Sequence, residues 1–192
     1  DFMYHKIMDS EEKITIVALA PLTNIALLLK AYPQVKEKIE CISMMGGGIS
    51  HGNCTELAEF NIYVDPEAAH IVFHSGVPIV MAGLDVTEQA AITLDEIKAL
   101  KNKGKVSHLT YELLRFYNET GKQFGFADSP IHDLCAVEYL LAPEIFSGRK
   151  CYVDIATDDG ISRGQTLADL RKVPKHDANV LVLEQVDRER FV

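Results

Sequence analysis

Residues 13–32, KITIVALAPLTNIALLLKAY, decide the fold class. The opening KITIVAL is short, apolar and β-branched, the pattern of a buried strand. The next residues place Pro21 at a first helical turn and Leu22, Ile25, Ala26 and Leu29 at helical spacing. A strand that feeds straight into a helix is the repeating unit of an α/β layer. The unit recurs along the chain. CISMM (41–45), VPIVMAG (77–83), CYVDIA (151–156) and NVLVLEQV (179–186) read as further strands. Asp65-Pro66-Glu67 opens a helix, with Asp as cap, Pro in the first position and Glu at the positive end of the dipole. Gly76 ends that helix at a C′ position. Thr93 and Glu96 form a capping-box pair before IKAL, and 105–121 reads as a longer amphipathic helix. Ser129-Pro130 starts IHDLCAVEYLLA, which Pro143 stops. This alternation predicts an α/β, Rossmann-like layered fold with a mostly parallel sheet flanked by helices. Its chemistry is expected on loops beyond the strand C-termini.

Composition narrows the function. A chain of 192 residues suits one domain with a sizeable core. Lys and Arg number 19 against 28 Asp and Glu, a net charge of −9. That balance argues against a nucleic-acid partner, because phosphate backbones are bound by clustered basic residues. No apolar run approaches the ~20 residues of a bilayer span, and the polar N-terminus has no signal-peptide core, so no membrane partner is expected. Cys41, Cys54, Cys135 and Cys151 show no C-x-x-C pair and are read as reduced thiols, which points to the cytoplasm. The chain does not begin with Met, so an N-terminal part is expected to be missing.

Four polar groupings invite a chemical reading. GGGISHG (46–52) imitates a dinucleotide loop, but His51 stands where the third glycine belongs and no helix opens directly after it. Its glycines suit a tight turn or close backbone approach to a ligand. His70 and His74 are four apart on one helix and could in principle share a metal. Ile71 replaces the Glu of a zincin motif, so they read as a partly exposed helical face. In NCTELAEFNIYVD (53–65), Asn53, Glu59 and Asn61 crowd together and offer the donors and acceptors that sugar hydroxyls need. A solvated loop is the plainer account of that stretch. His132-Asp133 sits in the first turn of a helix, where Asp is favoured by the dipole alone; the pair could equally supply a proton and a hard oxygen ligand.

The residues VALAPLTNIA (17–26), MGGGISHGNCTELAEFNIYVDPEAAHIVF (45–73), MAGLDVT (81–87) and SPIHDLCAVEYLLAP (129–143) resemble the nucleoside hydrolases of the inosine-uridine-preferring type. The likeness continues through RGQT (163–166) and the closing VDRERF. It implies the Rossmann-like fold already read from the pattern. It also implies hydrolysis of the N-glycosidic bond of ribonucleosides to ribose and free base, with a water activated by Ca²⁺ and a His proton donor. By this resemblance His132 is the proton donor, and Asp133 with the main-chain carbonyl of Leu19 binds Ca²⁺. Asn53 and Glu59 lie toward the ribose 5′-hydroxyl, Asn61 lies toward the diol, and Met45 packs near the sugar. A nucleoside substrate and a homo-oligomer, dimer or tetramer, are the implied partners.

One departure stands out. The family begins with a strand and a D-x-D-x-x-x-D-D motif that supplies most Ca²⁺ ligands, and that motif is absent here. Residues 1–192 would then be a partial domain, the C-terminal two thirds, with the N-terminal strands missing. The alternative function is a truncated, inactive or non-catalytic relative that binds a nucleoside or ribose. Asp154, Asp158 and Asp159 repeat the D-x-x-x-D-D spacing but come after every other motif, and they are expected to be solvated acidic turn residues. Tyr111, Phe116 and Tyr117 on the helix at 105–121 could close over a base, although core packing explains Phe116 as well.

Overall fold

The computed structural model describes residues 1–125 and 127–192. Its strands are β1 (Ile14–Ala18), β2 (Ile39–Met45), β3 (Ile79–Ala82), β4 (Ala91–Ile92), β5 (Ser129–Pro130), β6 (Phe146–Ile155), β7 (Thr166–Asp169) and β8 (Val180–Val186). The helices are α1 (Phe2–Met8), α2 (Thr23–Ala31), α3 (Phe60–Val64), α4 (Pro66–Phe73), α5 (Leu84–Thr87), α6 (Leu94–Ala99), α7 (Lys105–Gly121), α8 (His132–Leu141) and α9 (Arg188–Phe191). The main sheet has six strands in the order β1-β2-β3-β8-β6-β7. β1, β2, β3 and β8 run parallel, and β6 and β7 add antiparallel.

Both faces of the sheet are covered, as a parallel sheet requires. Successive residues of a strand point to opposite faces, and the two cores divide accordingly. Met44, Met81 and Val182 join a core with Leu29 of α2 and Val72 of α4. Their neighbours Met45, Ala82 and Leu183 join a second core with Val86 of α5 and Cys135 of α8. Ser43 is buried in β2 and donates its hydroxyl to the Ala136 carbonyl at 2.6 Å, which ties α8 to the sheet. Asp65 caps α4 through the Ala68 amide at 3.0 Å and also accepts from the Thr23 hydroxyl at 2.5 Å. One carboxylate thus joins α4 to α2. The capping box of Thr93 and Glu96 is present at α6.

Several expectations need correction. β1 alternates half-exposed and exposed residues before its buried Ala18, because among the described residues it borders only β2. Pro21 precedes the N-cap Leu22 of α2 and so lies outside the helix. Gly76 lies one residue beyond C′, since His74 is the C-cap of α4, though its φ of +82° is left-handed. The polar stretch 53–65 contains a helix, α3. Ser129-Pro130 pairs with β4 instead of starting α8. Phe116 is not core; it is 69% exposed. Asp158 and Asp159 are exposed loop residues, but Asp154 is half-buried within β6. All four cysteines are free thiols, and among the described residues no helix is long and apolar enough to cross a membrane.

Asp65 supports two helices at once, so Asp65→Ala is expected to lower stability by about 1–2 kcal/mol, the scale of a lost N-cap. The shift of the urea midpoint at constant m reads it; an unmoved midpoint would show that solvent replaces both bonds.

Candidate active site

The C-terminal ends of β1 and β2 open onto one cavity of about 490 Å³. Leu19, Met45, Asn53, Glu59, Asn61, His132 and Asp133 all line it. These are the residues singled out from the sequence, drawn from four segments. Phe60, Leu114, Tyr117, Pro130 and Ile131 complete the wall.

The loop after β2 is held by a buried carboxylate. Glu59 is 2% exposed and is the N-cap of α3. Its Oε2 accepts from the amides of Gly47 at 2.9 Å, Asn61 at 2.9 Å and Ile62 at 3.4 Å. The Gly47 contact requires the turn after β2. Gly47 has φ +80°, and a Cβ there would lie 2.9 Å from the Thr166 hydroxyl. Burial pushes the Glu59 carboxyl above its usual range, the three amides pull it back, and the negative charge of Asp133 adds to the rise. Nearby, Asn61 donates its side-chain amide to the Met45 carbonyl at 3.1 Å and reaches the Met45 sulfur at 3.4 Å. Asn53 accepts from the Phe60 amide at 2.9 Å through Oδ1. The two asparagines are therefore used in opposite senses. Among the described residues Asn53 keeps its NH₂ donors free, whereas Asn61 keeps its Oδ1 acceptor.

The opposite wall is the start of α8. His132 Nδ1 lies 2.7 Å from the hydroxyl of Thr87, itself fully buried at the end of α5. Burial lowers the His132 pKa below its usual value, and the charges of Glu88 and Asp133 oppose the shift. The ring is therefore mainly neutral near pH 7. A Thr87 hydroxyl that donates to Nδ1 leaves the remaining proton on Nε2. Asp133 is raised by burial and lowered by His132. The Gly-rich loop is fastened from below by Asp85, which accepts from the amides of Ile49 at 2.7 Å and Ser50 at 3.0 Å. Burial raises Asp85, but those bonds together hold it below its ordinary value. Tyr117 stands at the rim and donates to the Pro130 carbonyl at 3.1 Å. Tyr111 and Phe116 do not line the cavity.

Sequence reading missed Thr87 and Asp85, although both lie in MAGLDVT. A short polar residue beside buried apolar ones was the available signal. It marks a hydrogen-bonded position without naming the partner, which for Thr87 lies 45 residues away.

Comparison with known proteins defines the class. The sequence profile described as inosine-uridine preferring nucleoside hydrolase matches residues 1–192. A pyrimidine-specific ribonucleoside hydrolase, RihA of Escherichia coli O1:K1, is 43% identical over 195 residues, covering 100% of this chain and 63% of its own length. Among solved structures, a plant nucleoside hydrolase (PpNRh1) superposes with a TM-score of 0.90 at 30% identity, over 100% of this chain and 63% of that one. The purine-preferring ribonucleoside hydrolase of Gardnerella vaginalis gives 0.86 at 31% identity, over 100% and 61%. The chain belongs to the inosine-uridine preferring nucleoside hydrolase family. It spans 63% of the length of the Escherichia coli relative.

The raised Glu59 carboxyl has a stability consequence. A proton bound more tightly in the folded state stabilises below the unfolded pKa of 4.5, and that contribution is lost as pH rises through the folded value. Glu59→Gln retains an oxygen for the three amides and carries no charge. The wild-type urea midpoint is expected to fall relative to that of Glu59→Gln as pH rises above 4.5. Parallel pH profiles for the two proteins would refute it.

Proposed function

We propose that this chain supplies the ribose-binding and proton-donating part of a ribonucleoside hydrolase, an enzyme that cleaves the N-glycosidic bond to ribose and free base. The observation that carries the reading is the convergence of Asn53, Glu59, Asn61, His132 and Asp133 on one cavity, in a chain of this family.

The bond that breaks joins the ribose anomeric carbon to a base nitrogen. Its electron pair leaves with the base, and positive charge grows on the sugar. Water adds to that carbon and loses a proton to solvent, from which His132 regains the proton it gives to the base. The imidazolium form of His132, whose lowered pKa makes it a stronger acid, gives its Nε2 proton to the departing base and returns to neutral imidazole, which makes the base a better leaving group. In that form Nδ1–H donates to the Thr87 hydroxyl, which holds the ring in place for the transfer. The free NH₂ of Asn53 donates to a ribose hydroxyl, and the free Oε1 of Glu59 accepts from one, both toward the 5′ side. Asn61 Oδ1 accepts from the diol, and Met45 packs against the sugar. Carboxylates close to the anomeric carbon stabilise the growing charge.

A hard cation suits this wall. Asp133 and Glu59 face each other closely enough to raise the Glu59 pKa, and no Lys or Arg is among the residues lining the cavity. Asp133 and the Leu19 carbonyl are the donors this chain would offer to Ca²⁺, whose chemistry when bound is to activate water and grip the diol. We further propose that residues 1–192 form the C-terminal two thirds of the family domain, with further aspartate ligands supplied from outside them. A homo-oligomer and a cytoplasmic location belong to the same proposal. The second reading, a nucleoside- or ribose-binding relative without turnover, is favoured by one observation: two donors fall short of the six to eight oxygens Ca²⁺ takes.

Ribose release from purine and pyrimidine nucleosides, with and without chelator, tests the activity. Turnover that chelator abolishes supports the first reading; substrate binding without ribose release supports the second. In an active protein, His132→Ala is expected to slow inosine hydrolysis by about 10²–10⁴-fold, while a nitrophenyl riboside, whose leaving group needs no proton, is spared. Equal losses on both substrates would remove His132 from the donor role. Calorimetry of the 192-residue chain is expected to give a Ca²⁺ Kd weaker than about 100 μM. Micromolar binding would mean that the chain holds a fuller ligand set.

A further inference from the structure

Away from the cavity, His70, His74 and Asp154 each offer one ligand atom, and the three atoms lie within 4.8 Å of one another. Among the described residues no other such group of His, Cys, Asp or Glu occurs. The geometry points to a divalent transition-metal site of the Zn²⁺ class, built from these residues and clipping the end of α4 to β6.

The two elements present their ligands for simple reasons. His70 and His74 are four apart, so they share one face at the C-terminal end of α4. Their rings lie 4.2 Å apart between centroids. In β6, Cys151, Val153 and Ile155 are buried, so the alternate residues Tyr152 and Asp154 leave the core. Asp154 Oδ1 then lies 3.0 Å from His70 Nδ1 and 3.7 Å from His74 Nε2. Ligand atoms on a tetrahedral Zn²⁺ at ~2.1 Å stand about 3.4 Å apart, inside that range. The cluster needs only small side-chain adjustments to close on an ion.

The tautomer of His74 strengthens the assignment. Its Nδ1 lies 2.9 Å from the His70 carbonyl, which can only accept, so Nδ1 carries the proton. In the neutral ring Nε2 is then a bare lone pair directed at Asp154 and at the Tyr152 hydroxyl 3.1 Å away. A backbone carbonyl that fixes the far nitrogen is the usual support of a metal-binding histidine. The Ile155 amide donates to Asp154 Oδ1 at 2.7 Å and fixes the carboxylate in turn. The side chains of His70, His74 and Asp154 are 44%, 34% and 37% exposed, so an ion reaches them from solvent. Two imidazoles and one carboxylate favour Zn²⁺, Ni²⁺ or Cu²⁺ over Ca²⁺. The fourth position falls to water or the Tyr152 phenol.

The test uses the tag-free, chelator-stripped 192-residue chain with Zn²⁺ and, as a spectroscopic stand-in, Co²⁺. One equivalent of Zn²⁺ is expected to bind and to raise Tm, since a ligand of the folded state alone stabilises it. Co²⁺ is expected to give intense visible absorption, the mark of a tetrahedral site. His74→Ala and Asp154→Asn should each weaken Zn²⁺ binding by about tenfold or more, with circular dichroism checking the fold. His132→Ala should leave Zn²⁺ affinity unchanged. An unmoved Tm with no stoichiometric binding, or binding that survives His70→Ala/His74→Ala, would overturn the site. So would loss of binding in His132→Ala. No nucleoside is present in these measurements, so their outcome is independent of the hydrolase reading.

Discussion

The candidate site depends on one buried carboxylate. Glu59 holds the amides of Gly47, Asn61 and Ile62, so it locks the turn that leaves β2 to the start of α3. Without it, three amide donors would stay buried and unpaired, each costing about 1–3 kcal/mol. Its position also fixes what the neighbours can do. The Asn61 side chain must turn to the Met45 carbonyl, and the Gly47 carbonyl accepts the Leu84 amide at 2.8 Å, which starts α5. That helix ends at Thr87 and its hydroxyl meets His132. Both walls of the cavity therefore trace to the same turn, one directly and one through a short helix.

This arrangement is unfavourable for charge. A carboxylate that is desolvated by burial, with a second one across the cavity, resists ionisation, and Glu59 and Asp133 are both raised. A fold built for stability alone would place a neutral acceptor at 59. Two acids facing one space suit the cation and the growing charge of the proposed reaction. His132 is tuned in the other direction by the same burial. A lowered pKa makes its protonated form a readier donor.

Much of this was legible in the sequence, and the omissions have a common cause. Runs such as VPIVMAG and CISMM report burial on both faces, which is what a strand between two helical layers needs, so the fold class followed from them. Asn53, Glu59, Asn61 and His132-Asp133 stand out as polar residues beside glycines or a helix start, but a solvated loop and a dipole-favoured Asp account for them as well. Their roles come only with the resemblance to the nucleoside hydrolases. Strand direction leaves no such trace. CYVDIA reads like the parallel strands but runs antiparallel to β8. A side chain's partner is equally invisible when the chain is far apart. The spacing groups Asp154 with Asp158 and Asp159 as a turn residue, although it lies in CYVDIA, which reads as a strand. Its actual partner, His70, is 84 residues earlier. Phe116 failed for a different reason: an apolar residue on an amphipathic helix is expected to be buried, and this helix leaves that face open.

His132 and His74 differ in the partner of one ring nitrogen. His132 meets a hydroxyl, which can donate or accept. Its ring can therefore exchange a proton at Nε2 while the Nδ1 bond adjusts, as an acid requires. His74 meets a carbonyl, which accepts only, so its Nδ1 proton is fixed and its Nε2 faces the Tyr152 hydroxyl and Asp154. Burial separates them further. His132 is desolvated beside one carboxylate, whereas His74 stands open to solvent with a second imidazole and a carboxylate within reach. The first environment favours moving a proton and the second favours holding an ion. Each follows from which backbone or hydroxyl oxygen the fold sets behind the ring.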